Sequence, residues 1–493
     1  MPDGSVGDFV REAGRNIPAQ MRVIAAILAV ATVVVVVADP YVSEHVPPWI
    51  WHTLHLENSP YKLVPVLAVA LVGATAAAWA LWRCGSVTAV GILILLSASQ
   101  ATGLRAGPLD LLDVSLLSIF FVWTASRVGD AESTVTLGTV VWGALALIIL
   151  NFPNILHGNL VVYVGGSIGL VRCLVLALLV INLVSSPRYL DLAIRVFVAV
   201  AVASAIIGIL QFVAGYLFGA YFTLIDPPET AFKPTPIGMV MRSSALSITA
   251  QHYSGFLTLS LPFILFAAAE KNARSRAAQI LALVTVLVGI LASWNFGAIY
   301  VAAAVISLFP FFRWPHLSIQ VFLGYALAAG TAYFTGIMQL LYELSFGDSG
   351  VAKGVSQRKT LMELGLTKLY RDPWIGEGAH GMARFSGNFW HRPVHNAYVQ
   401  TMTEIGMVGG WVLIGMLLVL VTQLFLVGKA AQGKLAVQVR ASLMSVLALM
   451  ILMMSEPMMD HTNTWLMLGM AQGALLIAQR GREAVSTRYS TSG

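Results

Sequence analysis

The chain has 493 residues, 58% of them hydrophobic and only 11% charged, with a formal net charge of +6. Water-soluble domains run at roughly 45–50% apolar and about a quarter charged, so composition excludes a soluble fold and makes lipid the solvent. The apolar runs are long and lack strand alternation, which excludes a β-barrel and leaves a helical bundle. The basic residues sit largely in short connections, where they read as membrane topology, and no nucleic-acid partner is expected.

In chain order, residues 1–20 carry Arg11 and Arg15 and read as a cytoplasmic N-terminal arm. Met21 to Ala38, with the valine block Val33–Val37, is too long for a signal core and reads as a retained first span. Trp49 and Trp51 in the following loop suit an interfacial belt. Further spans are expected at 63–82, 86–102, 109–125, 134–152, 161–184 and 190–218. The segment 219–243, with Asp226-Pro227-Pro228-Glu229, Lys233 and Arg242, reads as external. Spans resume at 244–269, 277–294, 297–312 and 317–342, and after a long polar loop at 398–427, 438–455 and 460–479. Arg83, Arg127, Arg188, the run Lys271–Arg276, Arg313 and Lys429–Arg440 mark alternate connections. That rhythm predicts an all-α, polytopic transmembrane bundle of about fourteen spans with both termini cytoplasmic. Its divisions are an N-terminal bundle over 21–218, the external segment 219–243, helices over 244–343, a periplasmic loop with short helices over 344–397, C-terminal spans over 398–479 and a cytoplasmic tail over 480–493. The two cysteines, Cys84 and Cys173, form no disulfide framework and no metal spacing.

The polar stretch from Phe346 to Trp411 is the longest interruption in the oily sequence. Six Lys or Arg fall between Lys353 and Arg384, Arg392 follows, and His380, His391 and His395 lie close together. A long, charged, aromatic-bearing loop of this kind is uncommon without a function. Its basic residues, with Lys233 and Arg242, break the positive-inside pattern, and an anionic ligand is the natural reason. Arg358 opens a short helical pattern through Leu361, Leu364 and Leu369. Asp372-Pro373-Trp374 follows, then Gly376-Glu377-Gly378, His395-Asn396, Tyr398 and Glu404-Ile405-Gly406.

This ordered set resembles the loop of the O-antigen ligase and O-antigen polymerase superfamily: an Arg-led helix, a D/H-P-x-x-G-x-G turn, an H-N-x-[YF] step and an E-x-G-x-x-G helix start. The resemblance covers about the last half of the chain, with Arg242 as an upstream member. It implies an inner-membrane enzyme that moves a glycan from an undecaprenyl-diphosphate carrier to an acceptor hydroxyl on a growing glycan or lipid A core, inverting and without metal or other cofactor. Membrane lipids and polysaccharide-assembly proteins are the further partners.

On that resemblance Arg242 and Arg358 fall to the diphosphate, where planar guanidinium groups meet growing negative charge. Arg384 is a third candidate. A snorkelling arginine is the alternative for Arg242, and a helix-surface charge for Arg358. Lys359, Lys368 and Arg371 read as solvated or in contact with lipid headgroups. His395 matches the family histidine, and an imidazole is suited to take a proton from an attacking hydroxyl near neutral pH. The alternative is a helix-capping histidine. Asn396 would orient the ring or the acceptor. Gly376, Gly378, Tyr398 and Glu404 complete the expected substrate surface, with tight-turn conformation as the leading role of the glycines and Glu404 placed near the first turns of its helix. Arg172 interrupts an apolar span and reads either as a carrier-phosphate contact or as half of a pair with a neighbouring helix. His252 and Asn295 read as interhelical hydrogen bonds. Two other functions stay open: a lipid-linked glycan flippase and, within the family, a protein O-oligosaccharyltransferase.

Overall fold

The computed structural model describes residues 86–98, 105–106, 109–128, 134–153, 160–219, 232–235, 238–247, 249–269, 273–335, 350–379, 381–384 and 392–490. The N-terminal arm and the two spans expected before residue 83 lie outside them, as do His380 and His391.

Helices dominate: α1 Ser86–Ala98, α2 Leu111–Val128, α3 Thr139–Asn151, α4 Leu160–Leu183, α5 Pro187–Phe218, α6 Ala250–Ala268, α7 Ala273–Ala292, α8 Phe296–Arg313 and α9 Ser318–Phe334. The C-terminal part continues with α10 Gly350–Arg371, α11 Gly381–Arg384, α12 Ala397–Ile405, α13 Met407–Ala430, α14 Gly433–Leu452 and α15 Thr462–Ser490. Among the described residues two short antiparallel strand pairs interrupt them, β1 Arg105–Ala106 with β2 Leu109–Asp110 and β3 Phe232–Thr235 with β4 Gly238–Met241. The second lies in the segment that the sequence marks as external.

Five helices among the described residues are long and apolar enough to cross a membrane: Gly166–Leu183 within α4, then α5, α8, α13 and α14. Large apolar side chains such as Phe121, Ile149, Leu210, Leu281 and Phe322 stand exposed on the outside. A soluble protein would hide surfaces of that size. The chain is therefore a helical membrane protein.

Local chemistry explains the longest helix. Ser186 caps α5 by accepting the Tyr189 amide, Pro187 occupies the first turn, and Gly219 ends it at φ 59°. These are ordinary start and stop signals. At 32 residues the helix runs roughly 48 Å, longer than the hydrocarbon core. Helix α6 forms the centre. Every residue from Tyr253 to Phe266 is buried, as befits a helix apolar on all sides. Gly208 of α5 and Gly289 of α7 let both neighbours close on the Tyr253 ring; a Cβ at Gly289 would stand 2.8 Å from its hydroxyl. Small residues at such contacts are how helices approach where lipid gives no hydrophobic drive. Helix α14 packs on α6, α13 and α15, and α15 packs along α4.

Three expectations need correction. The span expected at 398–427 is two helices, α12 and α13, broken at Gly406. The helix led by Arg358 begins earlier, at Gly350, and is 22 residues long rather than short. The final helix does not stop at 479 but runs to Ser490 through the expected tail.

Candidate functional site

Arg242 follows β4 on a segment clamped to α5. Ser243 Oγ donates to the Gly208 carbonyl at 2.6 Å. Gln211 donates to the Ala245 carbonyl at 3.1 Å and accepts its amide at 2.8 Å. Ala245 is held at φ 48° and Trp294 at φ 47°, left-handed conformations that cost a side-chain-bearing residue energy. Beside them in the chain, Arg242 Nε donates to the Ser293 carbonyl at 3.2 Å. That carbonyl lies just past the C-terminus of α7, where a cation is favoured.

Helix α10 carries Arg358. Lys368, expected to be solvated, instead pairs with Glu377 of the glycine turn at 2.5 Å and pins α10 to it. Lys359 is exposed and lies 3.9 Å from Glu363, as a solvated pair would.

The glycine turn in turn docks on the break between α12 and α13. Glu377 and Gly378 donate to the Thr403 and Glu404 carbonyls at 3.0 and 2.8 Å, and Met407 donates to the Pro373 carbonyl at 2.7 Å. The turn thus satisfies carbonyls left open at the end of α12 and an amide left open at the start of α13. Gly376 and Gly406, at φ 79° and 89°, face each other across this contact. A Cβ at Gly376 would lie 2.6 Å from the Glu404 carbonyl oxygen. The geometry of Gly376 and Gly378 is that of backbone packing. Glu404 is corrected in the same way. It lies in the last turn of α12, where Gln400 donates to it at 3.3 Å, and not in the first turns of a span.

Asn396 caps α12, its Oδ1 accepting the Tyr398 and Val399 amides, while its Nδ2 donates to the Met454 carbonyl at 3.1 Å. The Ala397 amide donates to the Met453 carbonyl at 2.7 Å, and the Tyr398 hydroxyl donates to that of Met450 at 2.9 Å. Asn396 and Tyr398 thereby fasten the start of α12 to the end of α14. The cap is Asn396 itself, which leaves the His395 side chain for another task.

That task is set by Glu456, in the connection between α14 and α15. Its side chain is 1% exposed. Oε1 stands 3.4 Å from Arg358 Nη2, and Oε2 stands 3.7 Å from His395 Nδ1. At 3.7 Å the second pair is beyond hydrogen-bond length, and neither atom has another hydrogen-bond partner among the described residues. Burial alone would raise the Glu456 carboxyl; His395, Arg358 and Arg242 together outweigh it and hold the group below the usual carboxylate range. Burial lowers the Arg242 guanidinium, with Glu456 pulling it back up and Arg358 adding to the lowering. The first turn of α8 also lies here: a Cβ at Gly297 would stand 3.3 Å from Glu456 Oε1. A helix N-terminus favours such a carboxylate.

Arg358 and His395, from separate segments, therefore stand within 4 Å of one buried carboxylate, and Arg242, held on the Ser293 carbonyl, is near enough to act on it electrostatically. Arg384 lies in the four-residue α11, and its side chain falls outside the described residues. Arg172 of α4 is ion-paired with Asp113 of α2 at 2.8 Å, the pair with a neighbouring helix. Asn295 donates to Ser254 of α6 at 2.9 Å, and His252 stacks on His461 with ring centroids 3.6 Å apart. Among the described residues no three His, Cys, Asp or Glu side chains gather as metal ligands. Glu456 is the residue sequence reasoning missed. Its signal was weak but present: Ser455 to Asn463 is a short polar interruption with Glu456, Asp460 and His461 between two apolar runs.

No protein-family model and no curated protein matches the chain. Fold and site define a class of protein: a helical membrane protein with arginine, histidine and carboxylate gathered at one end of its bundle.

Proposed function

We propose that this protein is a membrane-embedded glycosyltransferase that moves a glycan from an undecaprenyl-diphosphate carrier to an acceptor hydroxyl in surface-polysaccharide assembly, as polymerase or ligase. It acts in the bacterial inner membrane through about fourteen spans, with the Glu456 end facing the periplasm or the outside. The observation that supports this reading is the pairing of Arg358 and His395 with the two oxygens of Glu456, with the Arg242 guanidinium acting on the same carboxylate electrostatically. A small closure would bring His395 Nδ1 to donate to Glu456, which would place the ring proton on Nδ1 and leave Nε2 to accept one, as in a histidine base oriented by an acid. The acceptor oxygen gives its proton to Nε2 and attacks the anomeric carbon. The bond from that carbon to the diphosphate breaks, and its electron pair leaves on a diphosphate oxygen. Arg242 and Arg358 neutralise the charge that grows there. Attack from the face opposite the leaving group inverts the anomeric centre.

A flippase would place its charges along a path through the bundle; these three residues meet at one end. The test is reconstitution of the purified chain in liposomes with lipid-linked glycan and an acceptor. New glycosidic bonds and released undecaprenyl diphosphate are expected. Translocation of intact donor with no bond formed overturns the reading.

A further inference from the structure

A cavity of about 480 Å³ opens between α5, α6, α7 and α14 at the end of the bundle away from Glu456. The separation follows from α14, which carries Lys434 at its start and leads to Glu456 past its end. Its 20 residues span roughly 30 Å. At the cavity mouth Asp191 is shared by two cations. Lys434 Nζ lies 2.6 Å from its Oδ1 and Arg195 Nη2 lies 2.8 Å from its Oδ2. Gln438 donates to Oδ1 at 3.2 Å. Among the described residues that line the mouth, two positive charges face one negative. Both cations are largely exposed, at 69% for Arg195 and 56% for Lys434. Exposed pairs of this kind bind their partners weakly, so the cations can turn to a second anion.

Deeper in, the lining changes character. Phe263 and Phe266 of α6 form an apolar wall with Val198, a turn further along α5 than Arg195. A polar, cationic mouth above an apolar wall, at the end of membrane-length helices, has the chemistry of a lipid with a charged head.

We propose that this cavity is a binding site for an anionic phospholipid, with the headgroup phosphate between Arg195 and Lys434 and an acyl chain along Phe263 and Phe266. It is separate from the site around Glu456, and the proposal does not depend on the activity of that site. Asp191 competes with the phosphate for the same cations, which sets the affinity of the site.

The test uses the full chain in detergent, titrated with phosphatidylglycerol and with phosphatidylcholine, the retained lipid being counted by native mass spectrometry. The wild type is expected to prefer phosphatidylglycerol. Arg195→Gln with Lys434→Gln should weaken that lipid by about 25-fold, at about fivefold for each cation near the surface. Asp191→Asn frees both cations and should strengthen it by about fivefold. A purely structural role for the triad would instead lower the melting temperature in both variants and leave the preference between the two lipids unchanged, and that result overturns the proposal. So does glycerol phosphate that displaces the lipid at equal concentration, because the apolar wall would then contribute nothing.

Discussion

Arg358 Nη2 and Glu456 Oε1 stand 3.4 Å apart, although 98 residues separate the two in the chain. The pair joins the long polar stretch to the last connection of the bundle, and its second carboxylate oxygen faces His395. A carboxylate this buried is costly unless charged neighbours surround it. Here they are the groups proposed to do the chemistry.

Glu456→Gln keeps the shape and removes the charge. Transfer should fall, by up to about 10⁴-fold, the loss seen when the acid that orients a histidine base is made an amide. Wild-type turnover in the reconstituted variant would remove Glu456 from the mechanism. Stability carries a second signature. The native carboxyl is held below its ordinary value, so its contribution is complete above about pH 4.3 and drains away as the pH falls through the lowered native value. Thermal midpoints taken at pH 7 and at pH 4 should drop further in the wild type than in Glu456→Gln.

Arg242→Lys and Arg358→Lys keep the charge and lose the planar fork. Arg358→Lys can still meet Glu456, so the fold should hold while transfer drops by about 10²–10³-fold. Rates at saturating donor decide the matter; two fully active lysine variants would reduce these residues to surface and interfacial charges.

His395→Ala should insert normally, bind lipid-linked donor and slow transfer by about 10²–10⁴-fold. His395→Gln should not rescue it, since an amide cannot take up the proton. Donor binding measured beside single-turnover transfer separates the roles: lost binding with intact chemistry in the bound fraction would make His395 a diphosphate ligand.

Gly406→Ala should unfasten the glycine turn. Its φ of 89° is strained for alanine, and the added Cβ would run into the Trp374 carbonyl oxygen. The strain alone costs about 1–3 kcal/mol. Gly415→Ala is the control: a Cβ there meets nothing within 4 Å on α13, and alanine should gain up to about 1 kcal/mol in a helix. Melting curves that move the two variants in the same direction would contradict this account of the break.

Cysteines placed at Lys359 and Gln432, in a background with Cys84 and Cys173 replaced, should differ in whole cells. An impermeant thiol reagent should label the first and spare the second, because the two lie towards opposite ends of α14. Equal labelling would break the topology.

The apolar runs were legible from sequence because lipid demands them. Most helix boundaries from α3 to α8 fall within a few residues of where hydropathy, proline and loop charge put them. Arg242 and Arg358 stood out in the sequence because their charge breaks the expected alternation of basic connections, and His395 because it stands in the H-N-x-Y step of the resemblance. Glu456 was not, since it follows no period and takes its role from neighbours distant in sequence. The break at Gly406 was hidden too. An apolar stretch does not reveal that a turn some 30 residues upstream supplies the missing backbone partners. Nor could Arg172 declare its partner, because pairing with Asp113 depends on α2 lying against α4. Hydropathy acts residue by residue and is written along the chain. The pairing of buried charge depends on which segments meet, and only the packed bundle decides that.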